Sequence, residues 1–422
     1  MKNKFRCSLL FGGVWLIIST IFAVWWAAEA SLYLPAVYVW WVIIGIALLP
    51  GFLMSSMFFS NLLHIKLKKY PHTNETVSII MCAHNEESNV QQAIAHICRQ
   101  AYAGRIHLIV VDNGSTDCTK AKILQSIRCG HAYCCINYVY CGIPGKANAL
   151  NCGLCFVNTP HFITVDADTF LEEHAVQRIM DHIVARNSVC VAGNLFVQNA
   201  KASICTKMQI YDYLLSIAAI KRFQGSYQST LVAQGAFSAY QTCIVRALGG
   251  WKDCLGEDIV LTYQLLALGK PSTYEPSAVG YTMVPQTLGN LYNQRKRWAG
   301  GMLEGFSTVK PWNQGSCYSR YFESVNLSII YLDFAFLFGF VPGVIMALFG
   351  YYYLVGCLTL LAMAISVLLY SSVYRYQKRL GIPFQNSFIG FVFFLFCFQL
   401  IQSTASVHGY VTKLLKQKGC WK

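Results

Sequence analysis

Three hydrophobic patterns follow one another along the chain. Residues 9–28 (LLFGGVWLIISTIFAVWWAA) carry no charge over a length that crosses a bilayer, and a second apolar stretch runs from about 36 to 63. Pro50-Gly51 inside it predicts a kink. Between 75 and 310 the pattern changes to short β-branched runs bounded by turn residues: VSIIMCA (77–83), HLIVVD (107–112) and HFITVD (161–166). Such runs predict strands buried on both faces. Segments of helical spacing, such as NVQQAIAHICRQ (89–100), lie between them. Alternating strands and helices predict an α/β domain with a mostly parallel sheet, whose ligands sit at the carboxyl ends of its strands. From about 325 the chain is apolar again, with runs at 326–348, 352–371 and 386–408 separated by a very short turn near Gly350 and a basic loop at 374–379.

Charge orients these segments. Lys2, Lys4 and Arg6 precede the first run, and Lys66, Lys68 and Lys69 follow the second, so the positive-inside rule puts the N-terminus and the α/β domain in the cytoplasm. Ala28-Glu29-Ala30 resembles a signal-peptidase site, which is the alternative reading of the first run. Five spans would leave Lys413, Lys416, Lys418 and Lys422 on the far side. Either one late segment is interfacial or re-entrant, or the rule fails there.

Composition supports a membrane protein. Hydrophobic residues make up 55% and charged residues 12% of 422 residues, against about 25% charge in an ordinary soluble domain. The net charge of +14 suits an anionic membrane surface or an anionic ligand. Nucleic acid is not expected as a partner, because no Lys/Arg run is long. The one CxxC, Cys152 to Cys155, lacks a second pair and reads as structural thiols rather than a zinc site.

Each candidate for chemistry stands where a strand ends or a helix begins. Strand 77–83 runs into His84-Asn85-Glu86-Glu87, and strand 107–112 into Asp112-Asn113-Gly114-Ser115. A carboxylate there can accept hydrogen bonds from a base or ribose, although Asp, Asn and Ser also serve as helix caps. Gly145-Lys146 opens a helix and can meet a phosphate, but it is no Walker A loop. Asp166 and Asp168 are two residues apart on an extended chain and so present two carboxylates together. Like charges that close favour a hard divalent cation bridging a diphosphate, Mg2+ or Mn2+. Glu257-Asp258 starts an apolar helix and offers a general base, or an acidic cap favoured by the helix dipole. Gln294, Arg297 and Trp298 share a helix face: an amide, a phosphate-binding guanidinium and a ring that can stack on a sugar. An interfacial basic helix anchored by Trp is the plainer reading of that face.

Taken in order, VDNGSTD, GKANALN, VDAD, GED and QRKRW resemble the motifs of family 2 glycosyltransferases. More closely the chain resembles the membrane β-glycan synthases, and above all the bacterial poly-β-1,6-N-acetylglucosamine synthases, with chitooligosaccharide and hyaluronan synthases also similar. The resemblance implies a GT-A-like nucleotide-sugar-binding domain at 75–310, two transmembrane helices in 1–70 and about three transmembrane or interfacial helices in 320–412. It implies a multi-pass protein of the bacterial inner membrane with its catalytic domain cytoplasmic. The implied reaction is inverting, metal-dependent and processive, moving a sugar, N-acetylglucosamine from its UDP donor, onto a glycan acceptor that is then exported. By the same resemblance Asp258 is the base. Glu86, Asp112, Lys146, Asp166, Gln294 and Arg297 hold the donor, Asp168 ligates the metal, and Trp298 and Glu257 meet the acceptor. Gln209, Asp212 and Tyr213 are expected along the acceptor path, and some related systems use an auxiliary membrane subunit. The chain departs from the family at Asn113, where a second Asp is usual, at Gly256, where Thr is usual, and at Gln241, where the acceptor segment commonly ends in Arg. A non-processive enzyme making a glycolipid is the alternative activity. A membrane scaffold or transporter with an inactive α/β domain is the alternative outside enzymes.

Overall fold

The computed structural model describes residues 1–66, 69–130, 134–355 and 357–415. Lys68, Lys416, Lys418 and Lys422, named above in the basic flanks, lie outside the described residues. Among the described residues eight strands form one sheet: β1 Val77–Ala83, β2 Ile106–Asp112, β3 Cys134–Tyr140, β4 His161–Asp166, β5 Thr169–Leu171, β6 Cys190–Val197, β7 Phe237–Gln241 and β8 Ser272–Thr282. Their order is β3-β2-β1-β4-β7-β6-β8-β5. Strands β1 to β4 pair in parallel, as does β6 with β8, while β7 and β5 run antiparallel to their neighbours.

The expected strands at 77–83, 107–112 and 161–166 are present, β2 starting one residue earlier at Ile106. Alternation explains their continuous apolar runs. Ile79, Met81, Leu108 and Val110 point into one core layer, and Ile80, Ile109 and Val111 into the other. Both faces are covered, so neither needs polar residues. Register then fixes the functional edge. Ala83 lies opposite Asp112, and Cys82 opposite Asp166, so β1, β2 and β4 end together.

The helices are α1 Lys2–Ala30, α2 Ala36–Leu63, α3 Val90–Cys98, α4 Thr119–Arg128, α5 Lys146–Cys155, α6 Ala175–Arg186 and α7 Ile204–Tyr213. After a π turn follow α8 Ile220–Ser226, α9 Thr242–Ala247, α10 Glu257–Ala267, α11 Leu288–Thr308, α12 Cys317–Leu348, α13 Cys357–Arg379 and α14 Phe388–Leu414. Of these, α1, α2, α12 and α14 are long and apolar enough to cross a membrane. The kink expected at Pro50-Gly51 takes the form of a π turn at Ile44–Leu48 just before the proline. Another π turn, Phe336–Phe340, precedes Pro342 in α12. A proline leaves a carbonyl one turn back without its donor, and a widened turn is one way the helix accommodates that.

Two boundaries differ from the sequence reading. Helix α12 begins at Cys317 rather than near 326, because a capping box at Ser316 starts it and Phe322 packs edge-on against Phe223 of the α/β domain. The segment 374–379 is the end of α13, not a loop. Val373 and Tyr376 are buried, Arg222 stacks on the Tyr376 ring at 3.4 Å, and Gln377 accepts a hydrogen bond from Asn194. These contacts hold the basic stretch helical.

Helix α14 touches the α/β domain at both of its ends. Ser387, its N-cap, accepts from Tyr211 Oη at 2.8 Å, and Gly390 lies against the Lys207 backbone. At the other end Gly409 lies against Lys296, and Lys413 pairs with Glu304 at 2.5 Å. Ile389, Phe393, Phe396, Leu400, Val411 and Leu414 form an exposed apolar stripe along the rest of it.

Candidate active site

The site grows from the shared edge of β1, β2 and β4. Asp112 closes β2 almost fully buried, its Oδ1 accepting from the Ser115 amide at 2.9 Å and its Oδ2 from Tyr138 Oη at 2.9 Å. Asn113 takes over the turn that follows: its amide group donates to the carbonyls of Cys141 and Ile143, and its Oδ1 accepts from the Gly145 amide. An Asp there could not donate to those carbonyls, which is the physical sense of the departure at this position. The turn after β1 is braced on the same loop. Asn85, in the left-handed region at φ 55°, accepts from the Thr116 amide, and Glu86 accepts from Asn89. Burial pushes the Glu86 carboxyl up, with Asp166 and Asp117 adding to it.

Lys146 is the first residue of α5, released into the helix by Gly145 at φ 121°. Its Nζ lies 2.6 Å and 2.8 Å from the two Asp166 oxygens. Burial alone would weaken the ammonium, but Asp166, Glu257 and Asp258 hold its proton well above the usual lysine range. Lys146 therefore neutralises Asp166 and leaves Asp168 without a cation. Asp168 lies in the turn between β4 and β5, so the two carboxylates are brought together by a turn rather than by an extended chain. Burial, then Asp166 and Glu86, pushes its carboxyl up to about 7.

The third part comes from α10. Glu257 is buried, and burial with the adjoining Asp258 pushes it up to about 7 against the pull of Lys146. Asp258 Oδ1 accepts from the Ile259 amide at 2.8 Å, and Oδ2 from the Gly235 amide at 3.4 Å. Gly235 ties the parts together, because a Cβ there would stand 3.0 Å from Lys146 Nζ and 3.9 Å from Glu257 Oε1. Its loop rests on Lys221, a buried lysine that donates to the Val232 carbonyl and to Gln234. Burial drops the Lys221 ammonium to about 7, with Asp258 opposing the fall.

Helix α11 is clamped to the start of α10. Gly256 and Gly301 meet backbone to backbone, and Gly256 donates its amide to Glu304. This contact gives a reason for Gly at 256, where a Thr side chain would collide with Gly301. Gln294, Arg297 and Trp298 lie just upstream of it on α11. The Gln294 side-chain oxygen is buried without a partner, Trp298 is 39% exposed, and Arg297 has no hydrogen bond or ion pair among the described residues. Arg295 does the structural work here, pairing with Asp212 at 2.6 Å and stacking on Trp298 at 4.2 Å.

Three sequence readings change. Asp212 and Gln209 are spent on packing, Asp212 on Arg295 and Gln209 on the carbonyls of Cys205 and Pro285. Tyr213, of the same group, is a buried core residue. Gln241 pairs with His161, at the opening end of β4, and bonds Asn187, so it stands at the far end of the sheet from the carboxylates. Sequence reasoning missed Tyr138, Gly235, Lys221, Arg295 and Glu304. Only Gly235, after Gln234 and before an apolar run, carried a turn signal in the sequence.

A methyl group at Gly301 would stand 2.7 Å from the Gly256 Cα. Backbone cannot yield as a side-chain tip can, so Gly301→Ala is expected to cost about 1–3 kcal/mol of stability and to displace the start of α10. Thermal unfolding of wild type and variant, with transfer rates measured alongside, checks this; an unchanged melting point and rate would contradict the clamp.

Residues 78–249 match the family model described as glycosyl transferase family 2. The chain is 28% identical over 295 residues to the poly-β-1,6-N-acetyl-D-glucosamine synthase of Staphylococcus aureus (strain COL), covering 67% of this chain and 69% of that one. To the synthase of the same name from Staphylococcus epidermidis it is 29% identical over 272 residues, covering 62% and 64%. Among solved structures it resembles a mannosyltransferase from Pyrobaculum calidifontis in complex with GDP-mannose and Mn2+, at a TM-score of 0.60 and 16% identity, covering 90% of this chain and all of that one. The fold is therefore GT-A-like with apolar helices on either side, and the protein is an enzyme that transfers sugars. Within that class its residues 78–249 match the family 2 glycosyltransferases, and the chain resembles the poly-β-1,6-N-acetylglucosamine synthases.

Proposed function

We propose that the chain is an inverting, metal-dependent, processive β-glycosyltransferase that adds N-acetylglucosamine from UDP-N-acetylglucosamine to a growing polysaccharide. The observation that carries this reading is the convergence of the Lys146–Asp166 pair and Glu257-Asp258 around Gly235, with Asp168 acting on Asp166 beside them and Arg297 unpaired among the described residues on the adjoining helix. The names of the two synthases suggest the product class, and the UDP donor follows from the resemblance of the motifs. The reaction begins as Asp258 takes the proton of an acceptor hydroxyl. That oxygen attacks the anomeric carbon while the bond to the diphosphate breaks on the opposite face, inverting the centre. Glu257, held near 7 beside it, orients the acceptor, and Trp298 offers its ring to the acceptor sugar. Asp112 and Glu86 hold the nucleoside, and Lys146, Asp166, Gln294 and Arg297 hold the sugar diphosphate.

No three His, Cys, Asp or Glu side chains among the described residues converge to cage a metal. Mg2+ and Mn2+ do not need a cage here, because such an ion is commonly held by one or two carboxylates and completed by substrate phosphates. Asp168, half-buried beside Asp166 and Glu86 and without an ion-pair partner among the described residues, fits that role. The ion would supply charge neutralisation on the departing diphosphate. UDP release by the purified chain, compared among UDP-N-acetylglucosamine, UDP-glucose and UDP-glucuronate with and without Mn2+ or Mg2+, tests the donor and the metal together. Metal-dependent release from the first alone is the expected result.

For the membrane arrangement we infer segments 1–70, 75–310 and 320–412, with the α/β domain cytoplasmic in a bacterial inner membrane. Phe5 near the start of α1 meets Tyr318 and Tyr321 near the start of α12, at 5.0 and 5.2 Å, while Trp26 and Tyr33 at the other end of α1 meet Tyr353. These contacts support α1 and α12 as crossing helices, α2 is long and apolar enough to be a third, and α13 is read as the fourth. Helix α14, held at both ends by the domain and apolar along one stripe, is read as lying in the membrane surface. Four crossings return the tail to the cytoplasm, where its lysines satisfy the positive-inside rule. A protease-cleavable tag after Lys422 is then expected to be cut in inverted vesicles and protected in right-side-out ones; the reverse would make α14 a crossing helix.

A further inference from the structure

A cavity of about 890 Å³, sharing no lining residue with the carboxylate cluster, lies beneath the ends of the membrane helices read above as cytoplasmic. Its wall includes Lys4 near the start of α1, Leu63 and His64 at the end of α2, and Tyr376 and Leu380 at the end of α13, facing α6, α8 and β8 of the domain. Six cationic side chains line it: Lys4, Lys66, Lys69, Arg178, Arg186 and Arg222. Among the described residues of the wall only Asp181 and Glu275 oppose them, and both are already engaged, while Arg178 is paired with Glu172 at 2.8 Å outside it. Asp181 accepts from His72, the Thr73 amide and Gln177, and Glu275 from His182 and Ser277.

Arg222 is the telling residue. It is 5% exposed, sandwiched on the Tyr376 ring, and donates from Nη2 to the carbonyls of Asn61 and His64. Its Nη1 has no hydrogen-bond partner, and no carboxylate pairs with it among the described residues. His182 Nε2, on the same wall, is likewise buried without a partner. A buried guanidinium without a counter-anion is costly, and the cost is relieved by an anion that accepts from it. We propose that this cavity is a binding site for a phosphate group, held by Arg222 within and by Lys66 and Lys69 at the rim. The phosphate belongs either to an anionic lipid headgroup or to a soluble phosphate. Arg222 is the neighbour in sequence of Lys221, which supports the Gly235 loop beside Asp258, so the site shares a helix with the catalytic machinery.

The test uses the full-length chain purified in a neutral detergent. Dioleoyl phosphatidylglycerol and dioleoyl phosphatidylcholine are titrated and counted by native mass spectrometry, and inorganic phosphate is titrated by calorimetry. Saturable binding of one phosphatidylglycerol, with no matching retention of phosphatidylcholine, assigns the site to a lipid headgroup; saturable binding of inorganic phosphate alone assigns it to a soluble ligand. In either arm Arg222→Gln is expected to weaken binding at least about tenfold, and Lys66→Gln and Lys69→Gln about fivefold each. The rim residues are exposed, so those variants decide the matter if Arg222→Gln fails to fold. No saturable binding of either probe, or binding untouched by the rim variants, would overturn the proposal.

Discussion

Asp258→Asn is expected to lower transfer by about two to four orders of magnitude, the usual worth of a general base, while leaving donor binding in place. The amide keeps one oxygen for the Ile259 amide and gives up only the long 3.4 Å contact from the Gly235 amide, so α10 should still begin where it does. The variant therefore separates chemistry from folding. Donor affinity and melting point close to wild type, beside a collapsed rate, are the expected pattern. A rate within threefold of wild type would remove Asp258 from the role of base and turn attention to Glu257.

Asp168→Asn is expected to cost about a hundred- to a thousandfold, the scale on which loss of a charge-stabilising contact is felt at a reacting diphosphate. It also carries a pH signature. The folded chain holds the Asp168 proton up to about 7, above the ordinary carboxylate range. The metal-free chain is thus favoured at low pH, and that contribution to stability is lost as the pH rises through about 7. A divalent ion must displace the same proton, so its affinity climbs with pH up to about 7 and flattens above. Melting curves from pH 5 to 8, with EDTA or with Mn2+, should show stabilisation by the ion that grows over this window in wild type and fades in Asp168→Asn. Stabilisation independent of pH in both proteins would place the ion elsewhere.

These outcomes rest on residues that differ in how far the sequence announces them. The strands β1, β2 and β4 were legible because a run such as VSIIMCA, apolar at every position, has few homes other than the middle of a sheet covered on both faces. The carboxylates followed, since strand ends are where register gathers side chains. What the sequence could not show is pairing across distance. Nothing near Asp212 or Arg295 says that they find each other across 83 positions, so Asp212 reads as an acceptor residue until Arg295 is seen beside it. Gln241 failed for the opposite reason: β7 runs antiparallel to β4, and direction, which no local pattern encodes, moves it to the wrong end of the sheet. The basic stretch at 374–379 reads as a loop by composition and is helical because Arg222 and Asn194 meet it. The conflict over the C-terminal lysines, by contrast, was visible from charge alone, and the arrangement proposed above resolves it by reading α14, apolar enough to cross, as tied to the domain at both ends.

The central claim, polymer synthesis driven by Asp258, is tested most directly by sizing the product. Membranes containing the chain, or its Asp258→Asn variant, are given radiolabelled UDP-N-acetylglucosamine with Mn2+ or Mg2+. A high-mass labelled polymer from the wild type, absent from the variant, is the predicted result. A single labelled sugar on a lipid, with no ladder above it, would contradict processive synthesis and make the chain a glycolipid enzyme.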